Sequence, residues 1–247
     1  MIYRFPTLAS TNDEAALARY TEGDVILARS QTSGRGQRGH RWESEVGQNL
    51  TFSLVLEPTF LAPAHQFLLS EAVALGVVDM LDGYGIGAKI KWTNDIYVGD
   101  RKLAGILIEH KLQGSSLART VVGIGLNVNQ RDFSSDLPNP VSMVQLRHFE
   151  FDCDEVLERL ANSIMARYEQ LRSGGEEPLQ QDYHSRLYRL GMLDWYALPS
   201  GRRFRGTIMG VRPTGALIIE NGRRERHEYL FKEVEFTIGS GKPLVEL

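Results

Sequence analysis

The stretch Gly34-Arg35-Gly36-Gln37-Arg38-Gly39-His40-Arg41-Trp42, with the residues that follow it to Leu56, decides the fold. Its first six residues spell Gly-x-Gly-x-x-Gly, and the apolar run Val25-Ile26-Leu27-Ala28 before it reads as a strand. That is the fingerprint of a dinucleotide-binding turn, which also requires a helix opening directly after the glycines to face a pyrophosphate. Residues 41–47 carry no 3.6-residue apolar period, whereas Leu50, Phe52, Leu54 and Leu56 alternate as in a strand. The connection is therefore strand–loop–strand, and a doubly wound nucleotide-binding fold is excluded. A P-loop is excluded as well, since no Gly-Lys-Ser/Thr triplet occurs. What remains is a loop in which glycine lets a ligand approach the backbone and arginine offers planar charged forks to carboxylates and phosphates. Taken alone it reads either as a cover for an anion or as a solvated basic turn.

The chain around it is ordinary. Its 247 residues are 42% hydrophobic and 24% charged, with a net charge of −3, so the basic loop is a local feature. Broad nucleic-acid binding is not expected from that balance. The single cysteine, Cys153, excludes an internal disulfide and a multi-cysteine zinc site. That usage fits the cytoplasm. No apolar run approaches the roughly 20 residues of a membrane span, and Met1 to Pro6 lacks the pattern of a signal peptide.

In chain order, Met1 to Phe5 predicts a strand. Ser10-Thr11-Asn12-Asp13-Glu14 predicts a helix start running to about Tyr20, with Thr11 and Glu14 at capping-box spacing. Its hydroxyls and amides can also hold a polar ligand. Gln31 stands at the exit of the strand ending near Arg29. Pro63 to Leu81 predicts a deeply buried helix, and Ala88 to Trp92 a strand leading into Lys91-Trp92-Thr93-Asn94-Asp95. Ile96 to Val98 and Leu103 to His110 form a hairpin about Gly99-Asp100, with Lys102 at the entrance of its second strand. Arg119 to Val128 is a strand in which Gly123 and Gly125 invite a bulge or a close backbone approach. Residues 132–140 form a polar loop. Helices follow over Asp154 to Leu171 and Pro178 to Leu190. Beyond Leu193 short strands and the Asn221-Gly222 turn signal predict a small barrel.

The order of these motifs resembles the biotin protein ligases. The resemblance rests on Ser10-Thr11-Asn12, Gln31 before Gly34–Trp42, Lys91 to Asp95, Arg101-Lys102-Leu103-Ala104-Gly105-Ile106-Leu107-Ile108-Glu109, Gly123-Ile124-Gly125-Leu126-Asn127 and the terminal barrel. It implies an α+β fold: a mixed β-sheet with packed helices over residues 1–192, the class II synthetase-like catalytic fold, then an SH3-like β-barrel over 193–247. It implies joining of biotin to ATP with Mg²⁺, giving biotinyl-5′-AMP and pyrophosphate, and transfer of biotin to a lysine of a biotin carboxyl carrier domain. Ser10, Thr11, Asn12 and Gln31 would meet the ureido head. Arg35 and Gly36 would lie along the carboxylate end of biotin, Gly34 and Gln37 would also bind biotin, and Lys102 would hold the carboxylate and the α-phosphate. Lys102 and Arg35 would be the catalytic pair. Arg38, His40, Trp42, Asn94, Lys102 and Asn127 would hold the adenylate, and Asn94 with Asp95 the magnesium.

Two positions depart from the family. Gln37 and His40 stand where arginine is common, so either phosphate neutralisation rests more on Arg35, Arg38, Arg41 and Lys102 or the adenylate is held more weakly. Thr93 replaces the usual proline. The chain opens directly on the catalytic motifs, so the form without a DNA-binding repressor domain is expected, with no DNA and no membrane as partners. A homodimer is allowed and the oligomeric state stays open. A lipoate or octanoate ligase or transferase, and a biotin sensor without catalysis, are the rival readings.

Overall fold

The computed structural model describes residues 1–36, 42–114 and 116–238. A seven-stranded sheet carries the first part of the chain. Its strands are β1 (Ile2–Phe5), β2 (Val25–Ala28), β3 (Leu50–Leu56), β4 (Lys89–Lys91), β5 (Asp95–Val98), β6 (Arg101–Gln113) and β7 (Ser116–Leu126), in spatial order β1-β2-β3-β7-β6-β5-β4. Only β1 and β2 run parallel, so the sheet is mixed. Its helices are α1 (Thr11–Ala15), α2 (Phe67–Gly83), α3 (Met143–Arg147), α4 (Cys153–Arg172) and α5 (Glu176–Ser185).

Strand β3 shows how the layers form. Leu50, Phe52, Leu54 and Leu56 face the main core with α2 and α4, as their alternation predicts. The opposite face is not wet, for every residue of β3 is buried. Val55 joins a small cluster with Ala15, Tyr20, Ile26 and Val121; Thr51 lines a cleft, and Ser53 is buried against Thr11 and Asn12 of α1. Helix α4 buries Leu157, Leu160, Ile164, Tyr168 and Leu171 on one stripe, and Asp152 caps it by accepting from the Asp154 N–H at 2.8 Å. It packs on α2 so closely that a Cβ on Gly76 would lie 2.6 Å from Ile164 Cα.

Several expectations are corrected. Residues 63–83 are in fact long and apolar enough to cross a membrane by composition, but 72% of that window is buried inside the fold, as in a core helix. Helix α1 ends at Ala15 rather than near Tyr20, because the chain turns there and the Tyr20 hydroxyl folds back to donate to Glu14 at 2.6 Å. Its N-cap is Ser10, not Thr11. Helix α5 ends at Ser185 because the segment beyond it leaves to form bridges, Leu187 with Ile90 and Leu190 with Ile208. Helix α3 was not anticipated, although Ser142 and Gln145 form a capping box at its start.

The C-terminal part is a five-stranded antiparallel sheet, consistent with an SH3-like domain. Its strands are β8 (Leu193–Ala197), β9 (Arg203–Val211), β10 (Leu217–Asn221), β11 (Arg226–Tyr229) and β12 (Glu235–Phe236), in order β11-β10-β9-β8-β12. The Asn221 carboxamide oxygen caps the expected turn, accepting from Arg223 N–H at 2.8 Å and Glu225 N–H at 3.1 Å. The positive φ of that turn falls on Arg224 rather than Gly222. This sheet shares the main core: Tyr196, Ile208, Leu217, Ile219 and Val234 are buried with the α2 and α4 residues. The Trp92 indole N–H reaches across to the Gly215 carbonyl at 2.9 Å.

Candidate active site

One cleft of about 700 Å³ collects residues from α1, β3, β5, β6, β7, the glycine-rich loop, the 133–140 loop and the C-terminal sheet. Its floor is bare backbone. Gly105 and Gly125 face each other in register on β6 and β7. A Cβ on Gly125 would lie 2.1 Å from the Trp42 indole, and one on Gly123 would lie 2.2 Å from Asn12 Oδ1. Of the two readings of these glycines, close approach is the observed one; the pairing through them is regular.

At one end the cleft is polar and uncharged. Ser10, Thr11 and Asn12 are all buried. The Ser10 hydroxyl oxygen accepts from the Asp13 N–H at 3.5 Å, which leaves its own proton for a ligand. The Thr11 N–H donates to Gln31 Oε1 at 2.7 Å, so the Gln31 amide nitrogen is the end left to donate. Ser53 Oγ lies 2.8 Å from Thr11 Oγ1 and 2.6 Å from Asn12 Oδ1. Asn12 lines the cleft with its side chain already engaged. Its amide nitrogen donates to Glu109 Oε2 at 2.7 Å and its oxygen receives Ser53, so it holds the pocket's shape rather than presenting a free amide.

At the centre Asp95 sits between two lysines. Lys102 Nζ is 2.7 Å from Asp95 Oδ1, and Lys91 Nζ is 3.8 Å from Asp95 Oδ2. The Lys91 ammonium is 5.3 Å from the Tyr97 ring and 4.9 Å from the Phe236 ring, the latter belonging to the C-terminal sheet. Burial pulls its pKa below the usual lysine value; Asp95 opposes the shift, and Lys102 and Arg189 add to it. Lys102 is fastened through its backbone: its N–H donates to Asn139 O at 2.7 Å and its carbonyl accepts from Val141 N–H at 2.9 Å. Asn127 holds the same wall, its amide donating to Val141 O at 3.0 Å. Asn94 lines the cleft, but its amide nitrogen donates to the Ile106 carbonyl and its oxygen accepts from the Thr93 hydroxyl at 2.8 Å. Phe133, Leu137 and Pro138 add an apolar wall beside this centre.

The Trp42 N–H donates to Gly34 O at 3.2 Å. The Trp42 ring centroid is 5.8 Å from Lys102 Nζ, and its buried indole N–H has no hydrogen-bond partner among the described residues. Gly36 lines the cleft. Arg35 lines the cleft and is paired with Asp13 at 2.6 Å and Glu109 at 3.1 Å. Gln37, Arg38 and His40, expected to contact ligand, lie outside the described residues, as do Gly39 and Arg41. Among the described residues no three His, Cys, Asp or Glu side chains gather as a metal site.

Thr51, Ser53, Lys91, Glu109 and Phe133 were not singled out as site residues from sequence. Thr51 and Ser53 carried a faint signal: the polar positions of β3 are small hydroxyls, not the charges of a wet strand face.

A profile described as the Biotin/lipoate A/B protein ligase family matches residues 5–127. A biotin–[acetyl-CoA-carboxylase] ligase of Paracoccus denitrificans is 34% identical over 221 residues, covering 85% of this chain and 90% of the relative. The bifunctional ligase/repressor BirA of Bacillus subtilis is 31% identical over 215 residues, 85% of this chain, which spans 65% of that relative's length. A biotin protein ligase from Aquifex aeolicus, solved in complex with biotin and ATP, superposes with a TM-score of 0.82 at 24% identity, covering 96% of this chain and 99% of the other. That likeness establishes the shared fold. The Paracoccus relative, 34% identical and matched over 90% of its own length, shows that this chain belongs to the biotin/lipoate protein ligase family.

Proposed function

We propose that the chain is an ATP-dependent biotin protein ligase. The observation that carries this is the polarity of the cleft: a neutral hydrogen-bonding end at Ser10, Thr11 and Gln31 runs into a cationic centre at Lys102 and Lys91. A biotin molecule has that same order, an uncharged ureido head joined by an apolar chain to a carboxylate. The names of the relatives point the same way.

In this reading the ureido head is seated by Ser10, Thr11 and Gln31, and the carboxylate lies towards Lys102. The carboxylate must attack the α-phosphorus of a nucleotide, so like charges have to be brought together and held in line. Lys102 stabilises the developing charge, and its fixed backbone and its bond to Asp95 keep the ammonium aimed. The apolar wall at Phe133, Leu137 and Pro138 suits the flat adenine. Trp42 excludes water from the mixed anhydride by lying over the glycine floor.

The metal fits as the nucleotide's companion. Asp95 is the carboxylate at the centre, and one carboxylate with phosphate oxygens is a usual magnesium set. Asp95, with Asn94 beside it, would hold the ion, which when bound neutralises phosphate charge. We further propose the division at 192/193, and a carboxylase carrier domain as acceptor of the biotin.

Incubation with biotin, ATP–Mg²⁺ and a biotin carrier domain tests the reading. Labelling of one carrier lysine with release of pyrophosphate is expected. Use of lipoate and not biotin would overturn it.

A further inference from the structure

A chain of hydrogen bonds runs from the surface to the neutral end of the cleft, and its polarity is fixed. It starts at Glu109, on β6, whose carboxylate can only accept. The Asn12 amide nitrogen donates to Glu109 Oε2 at 2.7 Å and to the Leu107 carbonyl at 3.4 Å, so both groups facing that nitrogen are acceptors. The amide therefore has one orientation, and its oxygen must point at Ser53. Ser53 is completely buried and has one proton. Of its two neighbours, Asn12 Oδ1 at 2.6 Å cannot donate, whereas the Thr11 hydroxyl at 2.8 Å can. The Ser53 proton goes to Asn12, and the Thr11 proton goes to Ser53. Thr11, which lines the cleft, is left with lone pairs only on its Oγ1.

We infer that Ser53 is a positioning residue that fixes Thr11 as an obligate hydrogen-bond acceptor, so that the cleft selects a ligand presenting an N–H at that point. The selection is made away from the ligand, by residues 97 positions apart in sequence, Asn12 and Glu109. Arg35 adds its guanidinium to the outer end, donating to the same Glu109 oxygen at 3.1 Å. Beside Thr11, Ser10 and the Gln31 amide are donors, so the pocket reads an acceptor flanked by an N–H. A cyclic urea has that pattern. The inference rests on the biotin reading above and adds the group that enforces it.

The test is ligand discrimination. Binding of biotin and of its two cyclic carbamate analogues, each with one ureido N–H replaced by oxygen, is measured by calorimetry on the full chain and on Ser53→Ala. The wild type is expected to disfavour one of the two carbamates by about 10- to 100-fold, since an oxygen would face the Thr11 lone pairs. In Ser53→Ala the Thr11 proton is released to turn to the ligand, and the preference should shrink to within about threefold while biotin binding persists. Melting curves confirm the variant's fold. Unchanged discrimination in Ser53→Ala, or equal loss of all three ligands, overturns the inference and leaves Ser53 a packing role. Equal binding of both carbamates by the wild type overturns it too. Failure of the wild type to bind biotin at all overturns the biotin reading, and the inference with it.

Discussion

The Trp42 indole rests on Gly125: a methyl at that glycine would come within 2.1 Å of the ring, and one at Gly105, its partner across the sheet, within 3.2 Å. Gly125→Ala therefore evicts the indole. The ring belongs to a loop and can leave without disturbing the core, so the melting temperature should hold. The adenylate should leave about tenfold faster, the equivalent of about 1.4 kcal/mol. Trapping of released biotinyl-AMP measures this, and an unchanged rate would remove Trp42 as its cover.

Lys102→Ala removes the ammonium 2.7 Å from Asp95 and 5.8 Å from the Trp42 ring. Adenylate formation should fall by roughly 100- to 1000-fold, the usual loss of a group that stabilises developing charge. Pyrophosphate release reports it. Because Lys102 is part-exposed and held by its backbone, circular dichroism should be unchanged.

Glu71 gives the fold an alkaline weakness. It is buried in α2 with one carboxyl oxygen unpaired, and burial pushes its pKa from 4.5 up to about 8. The folded state thus holds a proton that the unfolded state releases above pH 4.5. Stability is complete below 4.5 and declines by about 1.4 kcal/mol per pH unit between 4.5 and about 8. Urea titrations at pH 5.5 and 8 should show the decline in the wild type and its loss in Glu71→Met. A parallel decline in both would acquit Glu71.

Gly76→Ala drives a methyl into the backbone of α4 at Ile164, 2.6 Å away. Helices cannot swing aside as a loop side chain can, and overpacking costs about 1–3 kcal/mol. The melting temperature should fall by roughly 2–10 °C.

How far the sequence foretold this molecule depends on how local each signal was. Alternation in Leu50 to Leu56 and the stripe from Leu157 to Leu171 are written in neighbouring residues, and both elements appear as expected. Gly123 and Gly125 announced a close approach without saying by what; Asn12 and Trp42 come from far up the chain. Lys91 stood inside a recognised motif, yet its burial depends on Phe236, which no spacing rule connects to it. Ser53 was hidden by the strand rule itself, which assigns alternate polar positions to water. Here that face meets α1 instead, and the hydroxyl is buried.

The indole of Trp92 bonded to Gly215, and the ring of Phe236 against Lys91, have a thermodynamic consequence. The two sheets have no separate cores to melt one at a time, so the chain should unfold in a single cooperative transition. A small molecule seated at Ser10 and Lys102 would then raise the stability of residues beyond 193 that it never touches, by linkage through the shared native state. Hydrogen exchange in β9 and β10 becomes a reporter of occupancy at the far end of the cleft.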